Sequence, residues 1–385
     1  WKYWLHIHVI FRLSYEKVLE VSDFFKENLQ NNNFENNGIV YIGMDAGWAK
    51  MSDEQLADIA RHCKANGQKA GIYFTPFSDW GRDPEAYING SSRYKCKDAY
   101  LYANGKTQNM VAGGLAMDPT HPAIKERIRE TAERFKRLGY EYIKIDFLTH
   151  GCAEADYYYD PEVQTGMQAY NKGMAYLLEQ MEGMYITMAI SPLFPSQYAH
   201  SRRIACDAWA GIGDTEYTLN SLTYGWWLNQ VYTYNDPDHL LLEPVSDGEN
   251  RARITSGVIT GIFMNGDDLS YISGIQVAKD KARKFLTNED INAIAKMGKS
   301  FRPVNGNMDG ADFLFMYDTG KEVYLAAFNY SGYDLTYDLP LSRLGLRESS
   351  TYKAKELWSG KEVKFKKNVR VCIPKKDVLV FRITR

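Results

Sequence analysis

The stretch Tyr140-Glu141-Tyr142-Ile143-Lys144-Ile145-Asp146 sets polar-tipped residues at every second position among isoleucines. Successive side chains of a strand point to opposite faces, so Tyr142, Lys144 and Asp146 share one face while Ile143 and Ile145 pack behind. An ammonium beside a carboxylate favours the charged form of both. An aspartate so placed at a strand's C-terminal end is either a candidate nucleophile or half of a structural ion pair. The sequence around it separates the two readings.

Outward from this strand, short apolar runs alternate with segments of helical period. The runs at 4–9, 39–45, 69–75, 140–146, 184–190, 203–207, 230–234 and 258–264 read as strands. Helices are expected near 15–29, 52–66, 121–138, 163–181, 215–229 and 248–256. Ser52-Asp53-Glu54 and Asp118-Pro119-Thr120 are start signals, and Gly67 and Gly139 sit where helices should stop. Eight strands interleaved with helices predict an α/β fold, a (β/α)8 TIM barrel rather than an open doubly wound sheet. No G-x-G-x-x-G follows the first strand, which weakens a dinucleotide-binding alternative.

From about 303 the pattern becomes short strands at hairpin spacing, with turns such as Asp318-Thr319-Gly320-Lys321 and Ser359-Gly360-Lys361. The expected organisation is a catalytic barrel over 1–302 and a C-terminal antiparallel β-sandwich over 303–385. Between the third strand and the helix near 120 lies a long segment rich in Gly, Asp, Tyr and Asn. Loops of that length are usually functional or disordered, and in a barrel this one belongs over the active-site face.

Composition narrows the chemistry. The 385 residues carry a formal net charge of −2 with no Lys/Arg-rich run, so no nucleic-acid partner is expected. No run of 18 apolar residues marks a membrane span. The 28 Tyr and 8 Trp suit stacking on sugars or bases, and equally the filling of a core. Cys63, Cys96, Cys152, Cys206 and Cys372 are scattered without C-x-x-C spacing, so zinc-finger and thioredoxin readings lack support. The opening Trp1-Lys2-Tyr3-Trp4 segment lacks a charged n-region and a small-residue cleavage site. A periplasmic or secreted location is the expectation if a signal peptide has been removed.

Placed on their strands, several polar residues converge on one rim. Asp45 ends the second strand, in Met44-Asp45-Ala46-Gly47-Trp48, and Tyr73 lies in the third. Arg203 and Asp207 frame the sixth, and Asp236 and Asp238 follow the seventh. Each has a plain structural explanation alone, as turn former, helix cap or ion pair. Together they meet where barrel enzymes do their chemistry. Carboxylates beside one Lys and one Arg, with Trp48, Trp80 and Trp209 available for stacking, suit a neutral polyhydroxylated ligand. A phosphate ester would need more positive charge or Gly-rich donors. A divalent metal is the rival use of clustered acids, but Lys144 beside Asp146 would repel a cation.

These motifs resemble those of the α-galactosidase (melibiase) clan, glycoside hydrolase families 27 and 36. Tyr142-Ile143-Lys144-Ile145-Asp146 is similar to the clan's Lys-x-Asp nucleophile strand, and Arg203-x-x-x-Asp207 to its acid/base segment. Met44-Asp45-Ala46-Gly47-Trp48 looks like its Asp-Asp-Gly-Trp turn. Gly71-Ile72-Tyr73, Asn235-Asp236-Pro237-Asp238 and the terminal Glu356-Leu357-Trp358 follow in the clan's order. The resemblance implies a retaining exo-glycosidase for terminal α-galactosides, with Asp146 as nucleophile and Asp207 as acid/base. Asp45, Trp48, Tyr73, Lys144, Arg203 and Asp238 would bind the sugar. It implies no cofactor and no metal, and as partner an oligosaccharide or polysaccharide with a terminal galactose-like sugar.

Retaining hydrolysis uses two carboxyl groups roughly 5–5.5 Å apart, one ionised and one protonated. Lys144 would keep Asp146 ionised, and the apolar flank Ala205, Ala208 and Trp209 would keep Asp207 in its acid form, with Arg203 engaged by sugar or another acid. Three departures bear on the sugar. Ala46 replaces the turn's second Asp, the segment Ala189-Ile190-Ser191-Pro192 lacks the clan's Cys/Glu-Trp pattern, and His239 replaces an apolar residue. Related-sugar activities therefore stand beside the first reading: β-L-arabinopyranosidase, α-N-acetylgalactosaminidase and isomaltodextran-type hydrolysis. So do a non-catalytic carbohydrate-binding protein on the same scaffold and a metal-dependent barrel enzyme.

Overall fold

Ile72, Ile143, Ile145 and Ile186 are buried almost completely on one side of a parallel sheet, where amphipathic helices cover them. This is the first of two compact units in the computed structural model, which describes residues 13–89, 91–243, 245–306 and 309–385. Its described residues run to Ser22 and from Ile39 to Arg202; the second unit comprises Asp23–Gly38 and Arg203–Arg385. The strand expected at 4–9 lies outside the described residues.

The helix α1 (Tyr15–Phe24) runs on into a π turn, Phe25–Leu29, close to the expected 15–29. The strands β1 (Tyr41–Gly43), β2 (Lys69–Phe74), β3 (Tyr140–Ile145), β4 (Tyr185–Met188) and β5 (Ser201–Arg203) pair in parallel in sequence order. Between them run α2 (Asp53–Ala65), α3 (Pro122–Leu138) and α4 (Gly166–Gln180). Ser52 caps α2 in a full capping box and Gly139, with φ +96°, ends α3, as the start and stop signals anticipate.

The register of β2 on β3 slips by one residue: Ala70 faces Tyr140, but Gly71 faces Tyr142. Glu141 is the extra residue of this bulge, so Tyr140 packs towards the helices while Tyr142 and Lys144 take the opposite face. A Cβ on Gly71 would stand 2.2 Å from Tyr142 Cδ1, so the tyrosine ring requires glycine opposite it. The long segment after β2 is ordered. It forms two short antiparallel pairs, Ser78–Asp79 with Leu115–Ala116 and Tyr102–Ala103 with Lys106–Thr107, and a helical turn at Cys96–Ala99.

In the second unit, β6 (Tyr234–Asp236) lies between α5 (Ile212–Gly225) and α6 (Asp247–Thr260). Three expected strands are shorter or displaced. The sixth, expected at 203–207, ends at Arg203, because Cys206 and Asp207 beyond it are exposed and nothing apolar holds the chain extended. Instead of 230–234, β6 begins at Tyr234; Trp226–Gln230 coils as a 3-10 turn and Val231 is exposed. The apolar run at 258–264 begins as helix, since buried Val258 and Ile259 close the last turn of α6 before Gly261. Parallel bridges Asn235 to Gly261 and Leu240 to Asn265 follow it. The helices α7 (Gln276–Phe285) and α8 (Glu289–Met297) were not anticipated.

The C-terminal strands are β7 (Leu314–Asp318), β8 (Glu322–Asn329), β9 (Leu335–Pro340), β10 (Thr351–Glu356), β11 (Glu362–Lys366), β12 (Asn368–Ile373) and β13 (Asp377–Thr384). With Arg302–Pro303 they form one antiparallel sheet in the order Arg302–Pro303, β7, β8, β13, β10, β11, β12, β9. Leu314 and Leu325 share a single buried cluster with Leu339, Val369 and Ile373 from the far end of that order. The sheet therefore folds over its own core, as a sandwich does.

Candidate functional site

The predicted residues fall into two sets, one in each unit. In the first, Asp146 follows β3 directly, is buried, and donates its own amide to the Phe74 carbonyl at 3.0 Å. Its Oδ1 accepts the Phe147 amide at 2.7 Å and its Oδ2 the Tyr73 hydroxyl at 3.3 Å. Two donors thus fix the carboxylate's plane, an arrangement that suits its ionised form. Lys144 donates to Asp45 Oδ2 at 2.8 Å, and its ammonium stands 5.5 Å from the centre of the Tyr73 ring. Asp45 Oδ1 accepts the Ala46 amide at 2.7 Å, which orients the acid at the head of the turn. Asp45, Tyr73, Lys144 and Asp146 are thus linked by neighbouring bonds on adjacent strands.

Trp48 is placed differently from its expected role on a sugar face. Its indole N–H bonds the Tyr73 carbonyl at 2.8 Å, the Arg134 guanidinium covers its ring at 5.4 Å, and Phe135 meets it edge-on at 5.2 Å. The side chain fastens the turn carrying Asp45 to α3.

In the second unit, Arg203 is buried and bonds two acids, Asp207 Oδ1 at 2.9 Å and Asp238 Oδ2 at 3.2 Å. Burial works against its charge, but Asp238, then Asp236 and Asp207, outweigh that and hold its pKa above the ordinary arginine value. Asp238 Oδ2 also accepts the Ala208 amide at 2.8 Å, and Oδ1 lies 3.1 Å from His239 Nδ1. The apolar flank expected around Asp207 does not enclose it: its side chain is 60% exposed. Nor does Arg203 stand clear of it. The exposed acid is reachable by solvent and ligand, while Arg203 and Asp238 anchor it from beneath.

Backbone strain marks the same strand ends. Phe147 (φ +54°), Ile190 (φ +41°) and Asp238 (φ +70°) all occupy the left-handed region. That region is costly for an aromatic or β-branched residue, and such strain collects at functional sites.

One residue absent from the sequence reading is Arg253, on the buried face of α6. It donates to the carbonyls of Trp209 (3.1 Å), Pro237 (3.2 Å) and His239 (2.7 Å) and to Ser256 Oγ (3.0 Å). Complete burial pushes its pKa down to about 10. The sequence does not single it out: Arg253 stands in Arg251-Ala252-Arg253-Ile254-Thr255, two residues from a second arginine. All five cysteines are free thiols. Among the described residues, no group of three or more His, Cys, Asp or Glu side chains could hold a metal ion.

Residues 316–383 match the family described as the alpha galactosidase C-terminal beta sandwich domain, Melibiase_C. The chain is 23% identical over 301 residues to alpha-galactosidase A of Aspergillus niger, covering 72% of this chain and 52% of that one. It therefore spans about half the length of the curated relatives it matches. Its structure is similar to that of a GH27 β-L-arabinopyranosidase from Geobacillus stearothermophilus, with TM-score 0.75, 13% identity and 97% and 93% of the two chains covered. Alpha-galactosidase I from Mortierella vinacea gives TM-score 0.65 at 12% identity, with the same coverage. The fold is a (β/α)8 barrel followed by a C-terminal antiparallel β-sandwich.

Proposed function

We propose that this chain, which belongs by its C-terminal domain and fold to the α-galactosidase (melibiase) clan, is a glycoside hydrolase: a retaining exo-glycosidase for terminal α-galactosides or a closely related sugar. The observation that carries the reading is Asp146, buried at a strand end and oriented by the Tyr73 hydroxyl and the Phe147 amide beside the Lys144–Asp45 pair. In this reading residues 1–302 are the catalytic barrel and 303–385 an appended sandwich.

An Asp146 oxygen attacks the anomeric carbon as the bond to the leaving oxygen breaks, and Asp207 supplies that oxygen with a proton. Asp207, now ionised, takes a proton from water, whose oxygen displaces Asp146 and releases the sugar with retained configuration. Lys144 offsets the negative charge around Asp146, so Asp45 and Asp146 can both stay ionised within one site. Asp45, Lys144 and Tyr73 bind hydroxyls of the cleaved sugar, and Arg203 and Asp238 steady Asp207 and the turn beyond it. The partner is an oligosaccharide or polysaccharide ending in a galactose-like sugar.

A 2-fluoro galactosyl fluoride slows the second displacement, so the covalent adduct should accumulate and map by mass spectrometry to the peptide holding Asp146. Asp146→Ala should lower kcat by about a thousandfold or more. Full turnover by that variant would remove the assignment. A second reading, β-L-arabinopyranoside hydrolysis, is favoured by Ala46: its side chain offers the turn no polar group, and an arabinopyranoside lacks the hydroxymethyl of galactose. Aryl α-galactoside and aryl β-L-arabinopyranoside, compared by kcat/KM, separate the two.

A further inference from the structure

Trp80 lies in the segment after β2 and is 41% exposed, yet its indole is held on every other side. Its Nε1 donates to Thr75 Oγ1 at 3.2 Å, fixing the rotation of the ring. It meets the Phe147 ring edge to face at 4.6 Å and 72°, and the His150 ring lies tilted against it at 6.0 Å. Gly114 completes the seat: a Cβ there would come within 3.0 Å of Trp80 Cη2 and 2.8 Å of His150 Nε2. A large exposed aromatic usually gains or loses rotamers on binding; this one is already ordered, so a ligand stacking on it incurs little ordering cost.

Its position is equally specific. Phe147, on which Trp80 rests, is the residue whose amide holds Asp146 Oδ1. Among the polar groups that suit hydroxyls of the cleaved sugar, Tyr73 bonds the other oxygen of Asp146, and Lys144, paired with Asp45, stands over the Tyr73 ring. Trp80 is thus on the Phe147 side of the carboxylate, apart from the polar set, with 41% of its surface open to solvent.

We infer that Trp80 is the platform for the sugar ring on the leaving side of the scissile bond, a specificity-determining contact for oligosaccharides over single sugars. The inference rests on Asp146 marking the point of cleavage. A pyranose stacks its C–H face on the indole, so the chain length of the substrate is read before the bond is broken, and remote binding energy contributes to kcat/KM.

The test has two arms. N-bromosuccinimide oxidises exposed indoles, and peptide mapping reports each one. In the Asp146→Asn protein, saturating raffinose should protect Trp80 at least fivefold while galactose leaves it reactive, with exposed Trp227 unprotected as the internal reference. Equal oxidation with and without raffinose overturns the proposal, as does equal protection by galactose. In the second arm, Trp80→Ala should lower the ratio of kcat/KM on melibiose to kcat/KM on α-galactosyl fluoride about tenfold, near the upper range for one aromatic contact. Trp80→Phe should restore most of it. An unmoved ratio would make Trp80 a structural residue. The protection arm needs no turnover, so a failed Asp146 assignment, seen as activity in the Asp146→Asn protein, is recognised separately.

Discussion

Arg253 shows how a single buried side chain can govern a turn it does not belong to. Its guanidinium serves the carbonyls of Pro237 and His239, which flank the left-handed Asp238, and also that of Trp209, two residues beyond Asp207. Replacing it by methionine fills the space but leaves three carbonyls without their donor. The expected cost is about 3–5 kcal/mol, read as a fall in the urea midpoint, because each stranded buried group retains its desolvation penalty. Arg253→Lys should recover little, since a point charge does not reproduce the planar fork. A loss below about 1 kcal/mol for Arg253→Met would show that water or a neighbour replaces those bonds. Lys144 and Asp146 were legible in sequence because strand alternation alone puts them on one face. The work of Arg253 was not, since its partners are carbonyls from segments more than ten residues away, which no local pattern records.

At the scale of elements, α3 carries a cap that titrates. His121 is its N-cap, and its Nδ1 accepts the Ala123 amide at 3.2 Å, which only the neutral ring can do. Burial between the Tyr94 and Tyr159 rings lowers its pKa below the ordinary 6.5, against the opposing pull of Asp118 and Asp98. Above pH 6.5 the ring is neutral folded or unfolded, and the cap is intact. As the pH falls below that value the unfolded chain takes up a proton that the folded chain refuses, so stability declines. One such group contributes a slope of up to ~1.4 kcal/mol per pH unit. His121→Asn keeps an acceptor for the cap and should remove that share of the slope between pH 5 and 6.5, measured as urea midpoint against pH. A residual slope of the same sign is expected from His150, whose pKa burial also lowers. An unchanged slope in His121→Asn would refute the assignment. The helices themselves were readable from caps and period. The strands were less so: the Glu141 bulge alters facing without altering composition, and the run at 258–264 is as apolar in a buried helix end as in a strand.

For the whole molecule, the sandwich is joined to helices that precede it in the chain. Arg251 on α6 forms a two-pronged pair with buried Asp377, at 3.0 and 2.5 Å, and Trp358 donates to Thr255 on the same helix at 3.0 Å. Asn288, which caps α8, donates to the Leu357 carbonyl at 3.1 Å, and Lys355 pairs with Asp290 at 2.6 Å. A Cβ on Gly248 would stand 2.8 Å from the Lys376 carbonyl, so α6 meets the turn before β13 backbone to backbone. The chain's change of pattern near 303 is therefore not a change of compact unit, because Arg203–Arg385 coheres across it. Ending the chain at residue 302 would expose the α6 and α8 faces and leave Arg251 and Asp290 without their partners. The truncated protein should be recovered as aggregate, or with its far-ultraviolet helical signal melting at least 15 °C lower. The full chain carrying Arg251→Met should fold but lose about 3 kcal/mol, since Asp377 stays buried without its cation. A soluble 1–302 fragment with the melting temperature of the whole chain would show that these bonds are surface decoration and that the barrel stands without the sandwich.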